Sequence, residues 1–112
     1  MKQLIDQWWA LREDKSHKIR YDLIPLNQLK RLAIHYSNGA KVHWDRNWES
    51  GNMEYAEKCK ESAWRHFVQW QMGESDEDHA MAIVWNVFAY EFLKDKNMQI
   101  DMEKLMEAFI NY

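Results

Sequence analysis

Apolar side chains recur along this chain at intervals of three and four, the repeat that places them on one face of a helix, with polar or glycine-bearing stretches between. The pattern predicts four to five helices. Leu4, Ile5, Trp8 and Leu11 share a face over roughly residues 2–13, and a polar linker runs from Glu13 to Lys18. Pro25 suits the first turn of a second helix, because its missing N–H is not needed there. In that segment Leu26, Leu29, Ala33 and Tyr36 share a face, and Asn38-Gly39, which tolerate positive φ, are the expected stop. Residues 39–51, GAKVHWDRNWESG, keep neither a helical nor a strand period and read as a structured loop. Asn52 is expected to cap a third helix reaching about Met72, with Tyr55, Cys59, Ser62 and His66 on one stripe and Ala56, Ala63, Phe67 and Trp70 on another.

The pattern centres on residues 61–86, ESAWRHFVQWQMGESDEDHAMAIVWN, where two apolar segments meet at a short acidic turn. Gly73 ends the first. Ser75 and Asp78 have capping-box spacing, and the carboxylates of Asp76, Glu77 and Asp78 suit a helix N-terminus, so a fourth helix is predicted over roughly residues 76–94. It is apolar almost all round, from Met81, Ile83, Val84 and Trp85 to Phe92 and Leu93, which predicts cover on several sides. His79 and Asn86 interrupt it. Their separation is close to two helical turns, so both fall on a stripe with Ile83 and Tyr90, and polar groups turned inward need partners. The polar run KDKNMQ predicts a linker, and Asp101 the cap of a final helix within residues 100–112 bearing Met102, Leu105, Met106 and Phe109.

The expected fold is all-α: a compact bundle of four to five helices around a central antiparallel hairpin. One domain should span residues 1–112, with an N-terminal helix and linker (1–17), a core (18–93) and a C-terminal helix (100–112). Composition agrees, since three Gly and one Pro are too few for an all-β chain with many turns. Fifteen Lys plus Arg against eighteen Asp plus Glu, a net charge of −3, give no general electrostatic reason to bind nucleic acid or an anionic membrane. No apolar run approaches the ~20 residues that cross a bilayer. The lone Cys59 cannot close an internal disulfide and no secretory signal opens the chain, so a reducing cytoplasm is expected. Seven Trp and seven Met supply more apolar surface than one small core needs, so a homo-oligomer is expected.

Two stretches carry candidate chemistry. In the loop, Lys41, His43, Arg46 and Asn47 supply donors beside Trp44 and Trp48, a mixture suited to phosphate oxygens and to stacking on a base or sugar. The competing reading pairs Arg46 with Asp45 or Glu49. At the acidic turn, Glu74, Asp76, Asp78, His66 and His79 bring together oxygen and nitrogen donors of the kind that hold a divalent ion such as Mg or Mn. There the competing reading has the acids capping a helix and His79 pairing with one of them. P-loop, dinucleotide, zinc-type Cys and Ser-elbow signatures are all missing, which leaves metal-assisted attack of water on a phosphate as the reaction this residue set supports.

The stretches KIRYDLIP, GAKVHWDRNWESG, ESAWRHFVQWQMGE and DEDHAMAIVWN, in that order over roughly residues 18–93, resemble the phage dATP/dGTP diphosphohydrolase N-terminal domain family. Arg20, Lys41, Arg46, Asn47, His66, Glu74, His79 and Asn86 match its motifs. The resemblance implies an all-helical protein in the cytoplasm of an infected host cell, converting purine deoxynucleoside triphosphates to monophosphate and pyrophosphate. Joined to the residue reading, it implies His79 and Asn86 as catalytic groups and His66, Glu74, Asp78 and His79 on the metal. Arg20, Lys41, Arg46, Asn47 and Trp48 would then lie on the substrate. Ala82 stands where many members carry His, and Val42-His43-Trp44 replaces Lys-Tyr-Gly. The Glu-x-x-Glu pair of MazG-type pyrophosphohydrolases is absent, Glu57 and Glu61 being four apart. Two alternatives stay open: a protein that binds or sequesters a nucleotide without turnover, and an interaction module using its Trp/Met-rich surface.

Overall fold

The computed structural model describes residues 18–110; the helix expected over 2–13 and all of its linker but Lys18 lie outside them. Among the described residues there are no strands. Three α-helices, α1 (Leu26–Val42), α2 (Met53–Gln71) and α3 (His79–Ile110), are joined with two short 3-10 helices, Tyr21–Leu23 and Asn47–Ser50.

Local chemistry accounts for most boundaries. Pro25, with φ of −64°, sits just before α1, and its carbonyl accepts the first helical bond, from Leu29 N–H at 3.1 Å. Asn52 caps α2 as expected, its Oδ1 accepting from Tyr55 N–H at 2.9 Å. Gly73, at φ +73°, ends α2 in a Schellman motif: Glu74 N–H donates to Gln69 O at 3.0 Å and Gly73 N–H to Trp70 O at 3.1 Å. Gly51 is required by a close approach, because a Cβ there would lie 2.5 Å from Tyr55 Cδ1.

Four expectations are corrected. First, α1 does not stop at Asn38-Gly39 but continues to Val42 and closes with His43 N–H on Gly39 O at 3.0 Å. Asn-Gly permits a left-handed stop without compelling one, and Gly39 keeps a negative φ. The loop therefore begins at His43 and contains the 3-10 helix Asn47–Ser50, entered through Arg46 at φ 54°, a left-handed conformation costly for a residue with a Cβ. Second, the fourth predicted helix starts at His79 rather than near residue 76. Asp78 is its cap, accepting from Met81 N–H at 3.3 Å, while Ser75 and Asp76 belong to the turn.

Third, KDKNMQ is helical and Asp101 lies inside α3. Polarity alone points to a linker, yet the run contains neither Gly nor Pro, and Lys and Gln are good helix formers. Two bonds hold it: Asn97 Nδ2 donates to Leu93 O at 2.7 Å, and Lys96 Nζ to Glu49 O at 2.7 Å. Fourth, the helices expected over 76–94 and 100–112 are one, so the described residues hold three α-helices. At 1.5 Å per residue α3 is about 48 Å long against about 28 Å for α2, so its last turns project beyond the hairpin.

The central hairpin is antiparallel as expected. His66 meets His79 near the turn, and Lys60 Nζ lies 4.6 Å from the Tyr90 ring farther along. Small residues line its seam: Ala56, Cys59, Ala82 and Ala89 are buried, and Leu93 is the large side chain sealed completely. Helix α1 runs beside α3 in the same direction, with Arg31 against Asp78, Tyr36 against Trp85, and the Asn47–Ser50 turn against the stretch from Phe92 to Lys96. No helix among the described residues is long and apolar enough to cross a membrane.

Candidate active site

Three backbone events build one site. The Schellman end of α2, the turn through Asp76 and Glu77, and the Asp78 cap of α3 fold the chain back so that His79 enters the seam beside His66. His79 is 2% exposed. Its Nε2 lies 2.7 Å from Asp76 Oδ1, and its Nδ1 lies 2.9 Å from His66 Nδ1. Glu77 closes the group, with Oε1 3.4 Å from His66 Nδ1 and 3.9 Å from His79 Nδ1. In neutral His79, donation of Nε2–H to Asp76 leaves Nδ1 as the lone-pair nitrogen facing His66 and Glu77, so the carboxylate fixes the tautomer.

Burial pushes the His66 imidazole below its usual pKa; the opposing attraction of Glu77 is offset by His79, His35 and Arg65. The neutral form of His66 is thereby favoured. The hydrogen bond from His79 holds the Asp76 carboxyl below its usual range, and the Arg31 guanidinium does the same for Asp78.

Two overlapping donor sets result. The ligand atoms of His66, Glu77 and His79 lie within 4.8 Å of one another, as do those of Glu74, Asp76 and His79. Sharing His79, the sets use its two ring nitrogens in opposite directions. Mixed imidazole and carboxylate donors suit Mn or a similar transition ion better than Mg, which prefers oxygen and water.

The structure brings His66 to His79 in one set and Glu74 to His79 in the other, and separates other predicted residues. Asp78 is occupied elsewhere, accepting a two-pronged bond from Arg31 Nε at 2.9 Å and Nη2 at 2.7 Å while capping α3. Asn86 is buried on the His79 stripe but about 10 Å farther along the helix, its Nδ2 donating to Ala82 O at 2.8 Å. Ala82, the position of the frequent family His, is itself buried in the seam.

An open groove of about 1200 Å³ runs from Glu77 and Asp78 between α1 and α3 to the Asn47–Ser50 turn. Arg46, Asn47 and Trp48 line its far end, while Arg20 and Lys41 do not line it. Arg20 forms its own two-pronged pair with Asp22, at 2.8 and 2.7 Å. Arg46 is 80% exposed, with Glu49 at 3.8 Å, a long pair of the kind the competing reading foresaw. Trp48 packs edge-on against Phe92 and Trp85, with centroids at 5.1 and 6.0 Å, so its ring is a wall of the groove held by other aromatics.

Sequence reasoning missed three groove residues and undervalued a fourth. Arg31, His35 and Trp85 line the groove, and Glu77, read only as a helix-start acid, joins the imidazole pair. Arg31 and His35 are four apart and so share a polar stripe on α1, a signal masked by attention to the apolar stripe.

No curated protein and no solved structure matches the chain. The sequence model of the family described as dATP/dGTP diphosphohydrolase, N-terminal, matches residues 10–103, nearly the whole chain, and the protein belongs to that family.

Proposed function

We propose that the protein hydrolyses dATP and dGTP to the monophosphate and pyrophosphate, with a divalent ion held at His66, Glu77 and His79 and with Glu74 and Asp76 beside it. The observation that carries this reading is the convergence of two imidazoles and a carboxylate within 4.8 Å, of which the carboxylate, Glu77, lines one end of an aromatic-walled groove, in a chain of this family. From Asp78 to Phe92 the groove follows α3 for about 21 Å, room for an extended nucleoside triphosphate.

The residues divide the work. Asp76 orients His79 and fixes its tautomer. Glu74, an exposed carboxylate beside the donor set, accepts the proton of the attacking water. The water oxygen bonds to the α-phosphorus as its bond to the bridging oxygen breaks, and pyrophosphate leaves with the bonding pair. A bound ion at this donor set supplies charge neutralisation at the phosphates and acidifies water. The Arg46–Asn47 end, with the Trp48, Trp85 and Tyr36 rings, receives the nucleoside portion or terminal phosphates. Asn86 supports the His79 stripe from within the seam.

Self-association belongs to the same reading. Trp64, Phe67 and Trp70 on α2 and Met102, Leu105 and Phe109 on α3 are exposed on the single chain, more apolar surface than monomers ordinarily leave in contact with water. Light scattering of the purified protein is expected to give a mass above 13.7 kDa.

Incubation with each deoxynucleoside triphosphate and manganese, with products separated by ion exchange, tests the activity. Equimolar monophosphate and pyrophosphate from dATP or dGTP are expected. Release of single phosphates, or intact triphosphate recovered from a tight complex, would replace the reading with a different cleavage or with sequestration.

A further inference from the structure

We infer that Arg31 is the phosphate-binding cation at the acidic end of the groove and that Asp78 is the residue that positions it, an inference that rests on the triphosphate reading above. The groove presents two arginines, Arg31 and Arg46, and they stand at opposite ends: Arg46 beside the Asn47–Ser50 turn, Arg31 beside Glu77 and Asp78. Arg20 and Lys41, read from sequence as phosphate contacts, line no part of it. A triphosphate that follows the groove toward His66 and His79 meets Glu77 and Asp78, and like charges at that end would oppose it. Arg31 is the permanent positive charge placed to offset them.

Its geometry leaves donors to spare. A guanidinium has five N–H groups; the Asp78 fork takes one from Nε and one from Nη2. Three remain, and the side chain is 45% exposed beside the groove. Asp78 is in turn anchored to the first turn of α3 through Met81 N–H, so the plane of the guanidinium is set by the same carboxylate that starts the helix bearing His79. Such a held fork loses less freedom on gripping a phosphate than a solvated lysine would. The chain thus aligns its phosphate donor and its imidazole pair from one residue, Asp78.

A merely structural clamp and a phosphate contact respond differently when each half of the pair is broken. Arg31→Gln, Arg31→Lys and Asp78→Asn are compared with the unaltered protein in KM and kcat for dATP, affinity for inorganic pyrophosphate by calorimetry, and thermal midpoint. Arg31→Gln is expected to raise KM and weaken pyrophosphate about tenfold or more, with Arg31→Lys between it and the unaltered protein. Asp78→Asn keeps the cation but loosens its fork, and is expected to weaken both by about threefold, short of the loss in Arg31→Gln, while lowering the thermal midpoint as much; unaltered values in Asp78→Asn would overturn the positioning role. Equal losses in Arg31→Gln and Asp78→Asn would overturn the inference and leave a clamp. Should Arg31→Gln fail to fold, Arg31→Lys, which retains charge without the fork, decides: unaltered KM and pyrophosphate affinity there overturn it. Failure of the unaltered protein to bind dATP or pyrophosphate would sink the function itself, a result distinct from normal binding that ignores Arg31.

Discussion

The first four turns of α3, His79 to Leu93, and its remaining turns to Ile110 are one uninterrupted helix with opposite habits. The first part buries imidazole and amide groups in the α2 seam, whereas the second leaves Leu105 73% and Phe109 85% exposed. Burial of polar groups is costly unless each is bonded, and here each has a partner: Asp76 and His66 for His79, Ala82 O for Asn86. Exposure of large apolar groups in a row is equally anomalous for an isolated chain. The contrast teaches that one half of the helix spends its polar groups on bonds within the seam, while the other keeps its apolar groups outside it. A projecting segment this short would also be marginal as a helix standing alone in water.

The contrast can be broken experimentally. The largest effect is expected from His79→Ala, which removes the ring shared by both donor sets: hydrolysis of dATP should fall about a hundredfold or more, with helical circular dichroism kept. Retained turnover would place the reacting centre elsewhere. Next is a pair, Leu93→Ala and Leu105→Ala, followed by urea unfolding at concentrations where monomer predominates. Leu93 is sealed in the seam, so its truncation should cost about 2–5 kcal/mol; Leu105 should cost under about 1 kcal/mol, close to its helix propensity difference alone. Equal costs would show the projecting part to be packed within a single chain.

A smaller change is expected from deleting residues 98–110. The light-scattering mass should drop toward that of one chain, while the hairpin keeps its cooperative melting. An unchanged mass would move the association surface to the exposed aromatics of α2. The smallest effect concerns acid. Arg31 depresses the Asp78 pKa, so the stabilisation it provides is complete above the unfolded-state value near 4 and is lost as pH falls through the lower folded value. The gap in thermal midpoint between the unaltered protein and Asp78→Asn should therefore be steady above about pH 5 and close below it; a gap persisting at acid pH would mean that charge is not its source.

Some features were written locally and could be read directly. Asn52 caps α2 with its own side chain and Gly73 ends it through a backbone angle that glycine adopts freely, so both ends of α2 needed no distant partner. A seven-residue connection after Gln71 left the chain little choice but to reverse, which is why the meeting of His66 with His79 and the inward placement of Asn86 were legible from periodicity. Other features depended on contacts that no window of sequence contains. The helices run through Asn38-Gly39 and through KDKNMQ because neither stretch forbids helix, and permissive residues adapt to the surroundings they meet, such as the Glu49 carbonyl reached by Lys96. Among three neighbouring acids, Arg31, arriving from 47 positions away, took Asp78 for the helix start and left Asp76 and Glu77 to the imidazoles. Helix, turn and family resemblance were thus set by neighbouring residues along the chain; the division of labour among the charges was decided only when α1 came to rest against α3, because electrostatic partnership depends on distance in space.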